Sequence, residues 1–468
     1  MSTKFETVQD LVKALEAGSY GAAPQTLVQG SALQIESLDT MMHNVCFEDK
    51  ALKLQKVVGV EGAKTTTVQF NRELSYGRLG GSAHLEGNVG PEKTGDYVRV
   101  TVPMCFYSHT RRVTLASTMV DTVDGKKSDE RQAVAAAKTI AADIEFDLFR
   151  GCDDFSNAGV FDGHIAALPS VMANMRGVGL QIRQSDSQRN AKDLMFGAFG
   201  SDDSVVLASS ATLTQDLIED SHVRSVMNHG QADVLYVDPK VLANYNKITF
   251  GKERIILAGA PQPSTGADLK RQAVSGGEVS IESSRFLSGR TGPDAVSPES
   301  PAAPASVSAA SVTDAASPTQ FVAGQVYKYF VATGNEMGHS RLSAEASATV
   351  AANQDVIDVT ITHPSSGVAR WFDVYRTPAG GAAASAKYIG RVAISGSSST
   401  VFRDLGNKQP GFVTGFLLQA DTMEMKELAP YSRLKLAQTD LSVPEAHFRF
   451  CTLAVYQPRK NVILDNLR

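Results

Sequence analysis

KTTTVQFNRELSYGRLGGSAHLEGNVGPEKTGDYVRVTVPMCF, residues Lys64–Phe106, is the stretch on which the fold turns. Its opening KTTTVQF alternates as a strand does, with Thr66, Val68 and Phe70 on one side. Its closing DYVRVTVPMCF sets Val98, Val100 and Val102 against Tyr97, Arg99 and Thr101. Roughly 25 residues rich in glycine and charge lie between them, where a hairpin loop normally takes about 2–5. Two structures fit this pattern: a disordered surface loop, or a two-stranded arm reaching off the body. An isolated two-stranded ribbon is only marginally stable in water. An arm therefore implies a neighbour to lie on, and hence an oligomer.

Outward from this stretch the chain divides by composition. Residues 1–45 read as an N-terminal arm, with a short helix from Thr7 to Gly18 and then an extended segment poor in core-forming runs. Residues 46–117 hold the long loop and its flanking strands. SDERQAVAAAKTIAADIEFDLFRG (Ser128–Gly151) predicts a spine helix. Ser128 is expected at its N-cap, Asp129 and Glu130 in the positive first turn, and Arg150-Gly151 at its close. Val134, Ala137, Ala141, Ile144 and Leu148 give its apolar stripe. At 1.5 Å per residue it is roughly 33 Å long.

After GVFDGHIAAL and a polar, irregular stretch, a second helix is expected over 211–229, closed by Gly230. ADVLYV is a short strand, Asp238-Pro239 starts a third helix through Ile248, and KERIILAGA is another strand. That order indicates an α+β body rather than repeated βαβ units. Near Gly289 the sequence becomes a Pro/Ala/Ser-rich linker, TGPDAVSPESPAAPASVSAASVTDAASP. Six short alternating strands follow, from QVYKYFVATG to STVFRDLG, and predict an all-β sandwich with Trp371 anchoring its core. Body character returns at about Gly415. The expected division is thus 118–295 with 415–468 for the body and 296–414 for an insertion, which exposed loop tips tolerate well.

Composition narrows the functions. Hydrophobic residues are 43% and charged residues 20%, an ordinary globular balance. A net charge of -5 with no basic stripe disfavours direct nucleic-acid binding. No run of about 18 apolar residues suggests a membrane span, and the N-terminus lacks the apolar core of a signal peptide. Cys46, Cys105, Cys152 and Cys451 are scattered, which suits reduced, mostly buried thiols in a cytosol-made protein. No catalytic site and no metal site is expected. GVEGAKT and VDGKKS lack P-loop spacing, and neither H-E-x-x-H nor G-x-S-x-G occurs. Asp153-Asp154 and Asp202-Asp203 are adjacent and so make poor acid/base pairs. His84, His222 and His229 are expected at surfaces or interfaces.

The hairpin flanks TTTVQF and DYVRVTVP, the spine helix, QADVLYVDPKVLANYNKI and the ending FRFCTLAVYQPRKNVILDN together resemble the major capsid proteins of tailed bacteriophages, with the HK97-type fold. The insertion independently resembles a fibronectin type III or immunoglobulin-like module. VYKYFVATGNEMGHSRLS, RWFDVYRTPAG (with Phe372, Val374, Tyr375 and Arg376) and STVFRDLG (with Asp404) carry that likeness. Trp371, Tyr375 and Asp404 are the insert's expected core positions.

The resemblance implies a shell of hexamers and pentamers around double-stranded DNA, built in the host cytoplasm and residing in the virion. It implies loop-mediated contacts between subunits through Arg72, Glu73, Arg78, His84, Glu86, Glu92 and Lys93. It also implies a portal, a separate scaffolding protein and cement proteins as partners, with no enzyme activity, no cofactor and no membrane. The alternative is an encapsulin-like cellular compartment on the same fold.

Overall fold

The computed structural model describes residues 49–75, 82–120, 127–151, 175–186, 204–249, 270–288, 296, 300–313, 320–335, 338–353, 355–367, 369–395, 398–406, 408–438 and 440–468. The expectations for the arm of residues 1–45, GVFDGHIAAL, KERIILAGA, Arg78, Cys46, Cys152 and the two paired-acid sites lie outside these residues.

The first half of the chain builds most of a mixed α+β body. Helix α1 (Leu54–Val57) leads into β1 (Gly59–Gly62), β2 (Thr67–Ser75), β3 (Asp96–Pro103) and β4 (Cys105–Thr114). The helices α2 (Leu115–Met119), α3 (Ser128–Arg150) and α4 (Val178–Asp186) follow. Next come β5 (Val205–Ala211), α5 (Gln215–Met227), β6 (Val234–Val237) and α6 (Pro239–Thr249). The hairpin β7 (Arg271–Val274) and β8 (Gly277–Ser283) closes this part.

The second half is nearly all strand. β9 (Ser306–Thr313), β10 (Val326–Asn335), β11 (Gly338–His339) and β12 (Ala346–Thr349) come first. β13 (Asp355–Thr362), β14 (Trp371–Arg376), β15 (Lys387–Ala393) and β16 (Ser399–Asp404) follow. The chain then adds β17 (Val413–Leu418), β18 (Met423–Lys435), β19 (Ser442–Val455) and β20 (Val462–Leu467).

Two sheets organise the body. One has the order β1-β18-β19-β4, and α3 lies against β4 and β19. The other has the order β5-β20-β17-β6-β8-β7. Its central strands read as unbroken apolar runs because both faces are covered. Tyr236, Phe416, Leu418 and Ile463 meet α3 in one cluster, while Leu235, Val237, Leu417, Val462 and Leu464 meet α5 and α6 in another. The period of two along each strand divides the side chains between these cores.

Residues 306–404 form two further antiparallel sheets. One runs β11-β10-β14-β15 with β12 on β10, the other β16-β13-β9. Tyr329, Val331, Phe372 and Val374 of the first meet Ile357, Val359, Ile361 and Phe402 of the second in one core. The strands on either side of this unit, β8 and β17, both pair with β6.

Several details differ from the sequence expectations. Ser128 is the first helical residue rather than the N-cap; Lys127 precedes it without a side-chain cap, and Ser128 Oγ donates to the Ser117 carbonyl. The buried stripe of α3 is Ala136, Ile140, Ile144 and Leu148, at spacings of four, and Val134 is 58% exposed. The second helix starts at Gln215, capped by Thr214 Oγ1, and the polar stretch before it contains β5. Residue His229, not a glycine, takes the left-handed position after that helix (φ 60°).

The presumed linker contains β9. Val307 and Ala309 are small enough to pack on the sandwich core while β9 pairs with β13 over its full length. Trp371 lies on the opposite face of β14 from Phe372 and Val374, so those two rather than the tryptophan fill the core. Its ring lies under the Arg391 guanidinium at 4.4 Å, beside the buried Asp373–Arg391 pair (2.6 Å). Tyr375 packs with Tyr388 and Ala332 in a smaller cluster on that same face. Asp404 is buried, ion-paired to Arg376 at 2.5 Å, and accepts from the Tyr329 hydroxyl at 3.0 Å.

Candidate functional site

The ribbon of β2 and β3 is antiparallel, with Thr67 opposite Pro103 and Glu73 opposite Tyr97. Its root is closed by one bond between its own flanks and fixed by two contacts to the body. The Met104 amide donates to the Thr66 carbonyl (2.9 Å), Phe70 meets Tyr456 edge-on at 5.0 Å, and Arg72 Nη2 donates to the Val455 carbonyl at 2.6 Å. Burial, and then the neighbouring Arg459, push the Arg72 guanidinium down to about 10. Within its own chain, Arg72 thus anchors the ribbon.

Beyond the strands, residues 82–95 stand in solvent without regular structure. A turn closes through Asn88 N to the Leu85 carbonyl (3.1 Å), with Gly87 at φ 88°, a conformation that suits glycine. Lys93 Nζ donates to Ser82 Oγ across the loop (2.7 Å). Leu85 is 78% exposed and Val89 95%. Glu73, His84, Glu86 and Glu92 are also exposed and, among the described residues, form no ion pair within the chain.

The sheet below is tied to α3 by acids that the sequence did not single out. Glu145 is fully buried and accepts from the amides of Lys53, Leu54 and Gln55 at 2.7–2.9 Å. Those amides open α1, so the carboxylate serves as a cap supplied from another element. Asp147 accepts from the Tyr107 hydroxyl at 2.6 Å, and burial pushes its carboxyl up to about 7. On the same side of the sheet His109 faces His447 across the strands, ring centroids 6.1 Å apart. His447 stacks on Tyr431 and bonds its hydroxyl at 2.9 Å. Burial holds both histidines below the usual range; Arg111 adds to this at both. Cys105 and Cys451 are buried thiols in register, and burial pushes the Cys451 thiol up to about 12. His222 is buried in α5, not at a surface.

Among the described residues no three His, Cys, Asp or Glu side chains could hold a metal ion, and no helix is long and apolar enough to cross a membrane. The exposed ribbon tip is the feature that calls for a macromolecular neighbour.

No family model matches the chain. It is 22% identical to the major capsid protein of Staphylococcus phage S25-3, over 98% of this chain and 95% of that protein. It is also 22% identical to the putative major capsid protein of Enterococcus phage phiEF24C, with the same coverage. The chain functions as a major capsid protein. The capsid protein is also similar in structure to the capsid of a native GTA particle, with a TM-score of 0.46 and 10% identity. That likeness covers 96% of this chain and 100% of the other. The place of the capsid protein is the shell of the virion.

Proposed function

We propose that this capsid protein tiles as hexamers and pentamers into the icosahedral head of a tailed phage, on an HK97-type fold, enclosing double-stranded DNA without reading its sequence. The supporting observation is the ribbon of β2 and β3, whose root is anchored and whose tip, residues 82–95, stands in solvent. Ordering such a tip costs conformational entropy that a lone subunit does not recover. Seating Leu85 and Val89 on a neighbour would return about 1.5–3 kcal/mol for each side chain fully buried. Glu73, His84, Glu86, Glu92 and Lys93 then set the register, each exposed ion pair contributing about 0–1 kcal/mol. Repeated around a closed shell, such pairs decide which arrangement is lowest. A portal, a scaffolding protein and cement proteins complete the assembly, and the subunit works without catalytic residues, metal or cofactor.

Residues 296–414 are proposed as an inserted immunoglobulin-like or fibronectin type III-like module on the outer surface. Two antiparallel sheets around one core support this reading. A tethered module facing inward would compete with packaged DNA for volume.

Negative-stain microscopy of the expressed full chain tests the assembly, with closed polyhedral shells expected; discrete monomers would count against it. Leu85→Glu with Val89→Glu tests the ribbon. Both positions are exposed, so the subunit should fold while shell yield collapses. Undiminished shells from that variant would remove the ribbon from the account.

A further inference from the structure

Cys105 opens β4 and Cys451 lies near the end of β19, roughly 350 residues further along the chain. The ladder between these strands runs from Cys105 opposite Cys451 to Thr114 opposite Ser442 without a shift of register. Just beyond its far end the Leu115 amide donates to the Leu441 carbonyl at 2.9 Å, which makes that facing pair a hydrogen-bonded one. Such pairs recur at every second residue, so Cys105 and Cys451 form one as well. Directly opposed residues point to the same face of a sheet. Both thiols lie in the apolar cluster that holds Ile140, Ile144 and Leu148 of α3, at 2% and 0% exposure.

This placement suits a covalent link. A hydrogen-bonded pair sets its Cα atoms about 5.5 Å apart, and disulfides span about 4.4–6.8 Å between Cα atoms. Opposed Cβ atoms stand about 4.5–5.5 Å apart, against about 3.5–4.5 Å in a disulfide. The strands therefore need to draw together by no more than about 1 Å. The pair is the terminal rung of the β4–β19 ladder, so the movement disturbs the ladder on one side only.

We propose that Cys105 and Cys451 form a disulfide site, reduced while the subunit is made and closed in the released particle. The cytoplasm keeps thiols reduced, whereas a virion outside the cell meets an oxidising medium. Burial keeps the pair slow to react, because the thiolate is the reacting form and the Cys451 thiol is pushed up to about 12. The oxidant is hydrogen peroxide, small and uncharged, which enters as the sheet opens locally. One sulfur attacks a peroxide oxygen and the O–O bond breaks. A sulfenic acid forms, and the departing hydroxide takes the thiol proton as water. The second sulfur then attacks the sulfenic sulfur, its S–O bond breaks, and a second water leaves with the second thiol proton. Two thiols and one peroxide thus give one disulfide and two waters. The bond closes a loop containing α3, the sandwich and every strand of the six-stranded sheet but β20. Constraining that loop in the unfolded chain stabilises the subunit. The site does not depend on the ribbon or on how copies tile.

Particles of the full chain are treated with hydrogen peroxide, denatured in N-ethylmaleimide and digested for mass spectrometry. A peptide pair joining Cys105 to Cys451, separated by dithiothreitol, is expected. The treated chain should also unfold about 5 °C higher than the untreated one, and Cys451→Ala should remove both the link and the shift. The peptide map is made on the parent chain, so it decides the matter even where that variant does not fold. Maleimide on both residues after peroxide treatment would overturn the site. Sulfinic acid at either residue, or a link to Cys46 or Cys152 in its place, would do the same. A linked chain with an unmoved midpoint would remove the stabilising role. Intact shells whose two thiols stay unlinked would sink the disulfide and leave the shell reading standing.

Discussion

Asp147 sits on the buried side of α3, held by the Tyr107 hydroxyl and facing the charge of Asp143. Burial raises its folded-state pKa to about 7, against about 3.9 when unfolded. Between those values the folded subunit keeps a proton that the unfolded chain has lost, so stability falls as pH rises through this window and is flat above it. Asp147→Asn retains an acceptor for Tyr107 and removes the effect. The variant should gain on the parent by on the order of 2–4 kcal/mol between pH 4 and pH 8, read from denaturant midpoints. His109 and His447 act in the opposite sense. Their depressed folded pKa values leave their contribution whole above about pH 6.5, and it is lost as pH falls through the folded values. His447→Gln should therefore lose less stability than the parent on acidification from pH 7 to pH 5, measured in the same way. Neither site was legible in the sequence. An acid on a helix reads as solvated, and only strand register brings His109 to His447.

At the scale of elements, α3 is the joint between the two body sheets. Ile144 is fully buried against both. Ile144→Ala should cost about 2–5 kcal/mol by cavity formation, seen as a lower unfolding midpoint with the far-ultraviolet spectrum retained. Helix α4 is held differently, by the two-bonded pair of Arg183 with Asp465 of β20 at 2.7 and 2.8 Å. Arg183→Ala strands a buried carboxylate and should cost about 3 kcal/mol, whereas Arg183→Ala with Asp465→Asn should recover part of it in a double-mutant cycle. The sequence announced α3 by its spacing, and six sandwich strands by alternation of large apolar residues between turns. It hid β9, whose inward residues are as small as Val307 and Ala309, and β5, whose VVLASSA is short and ends in small side chains. Weak side-chain contrast leaves the register to be set by the partner strand. Val134 misled for the converse reason: helical spacing marks an apolar residue without saying whether the sheet reaches that turn.

For the whole molecule, the body and the sandwich have separate cores that share no buried residue. Deleting residues 296–412 and joining β8 to β17 by a short polar link should therefore leave a folded body that still forms shells, visible by microscopy. Complete loss of particles would instead give the sandwich a role in assembly. The separate core of the sandwich strands was legible in their alternating pattern, whereas the compositional change near Gly289 ran on through β9. The ribbon was legible as an anomaly of loop length, although its strands alone do not disclose that Arg72 turns back toward Val455.

The strand order of the six-stranded sheet also carries a timing. β20 lies between β5 and β17, and β6 flanks β17, so this sheet closes only after Val462–Leu467 has been made. Ribosomes deliver those residues roughly 180 positions after β8, about 10–40 s later at ordinary synthesis rates. Until then the nascent chain has an open slot where its central strand belongs, and a chain cut short before Val462 never fills it. Completion of this sheet thus waits on the last strand of the chain.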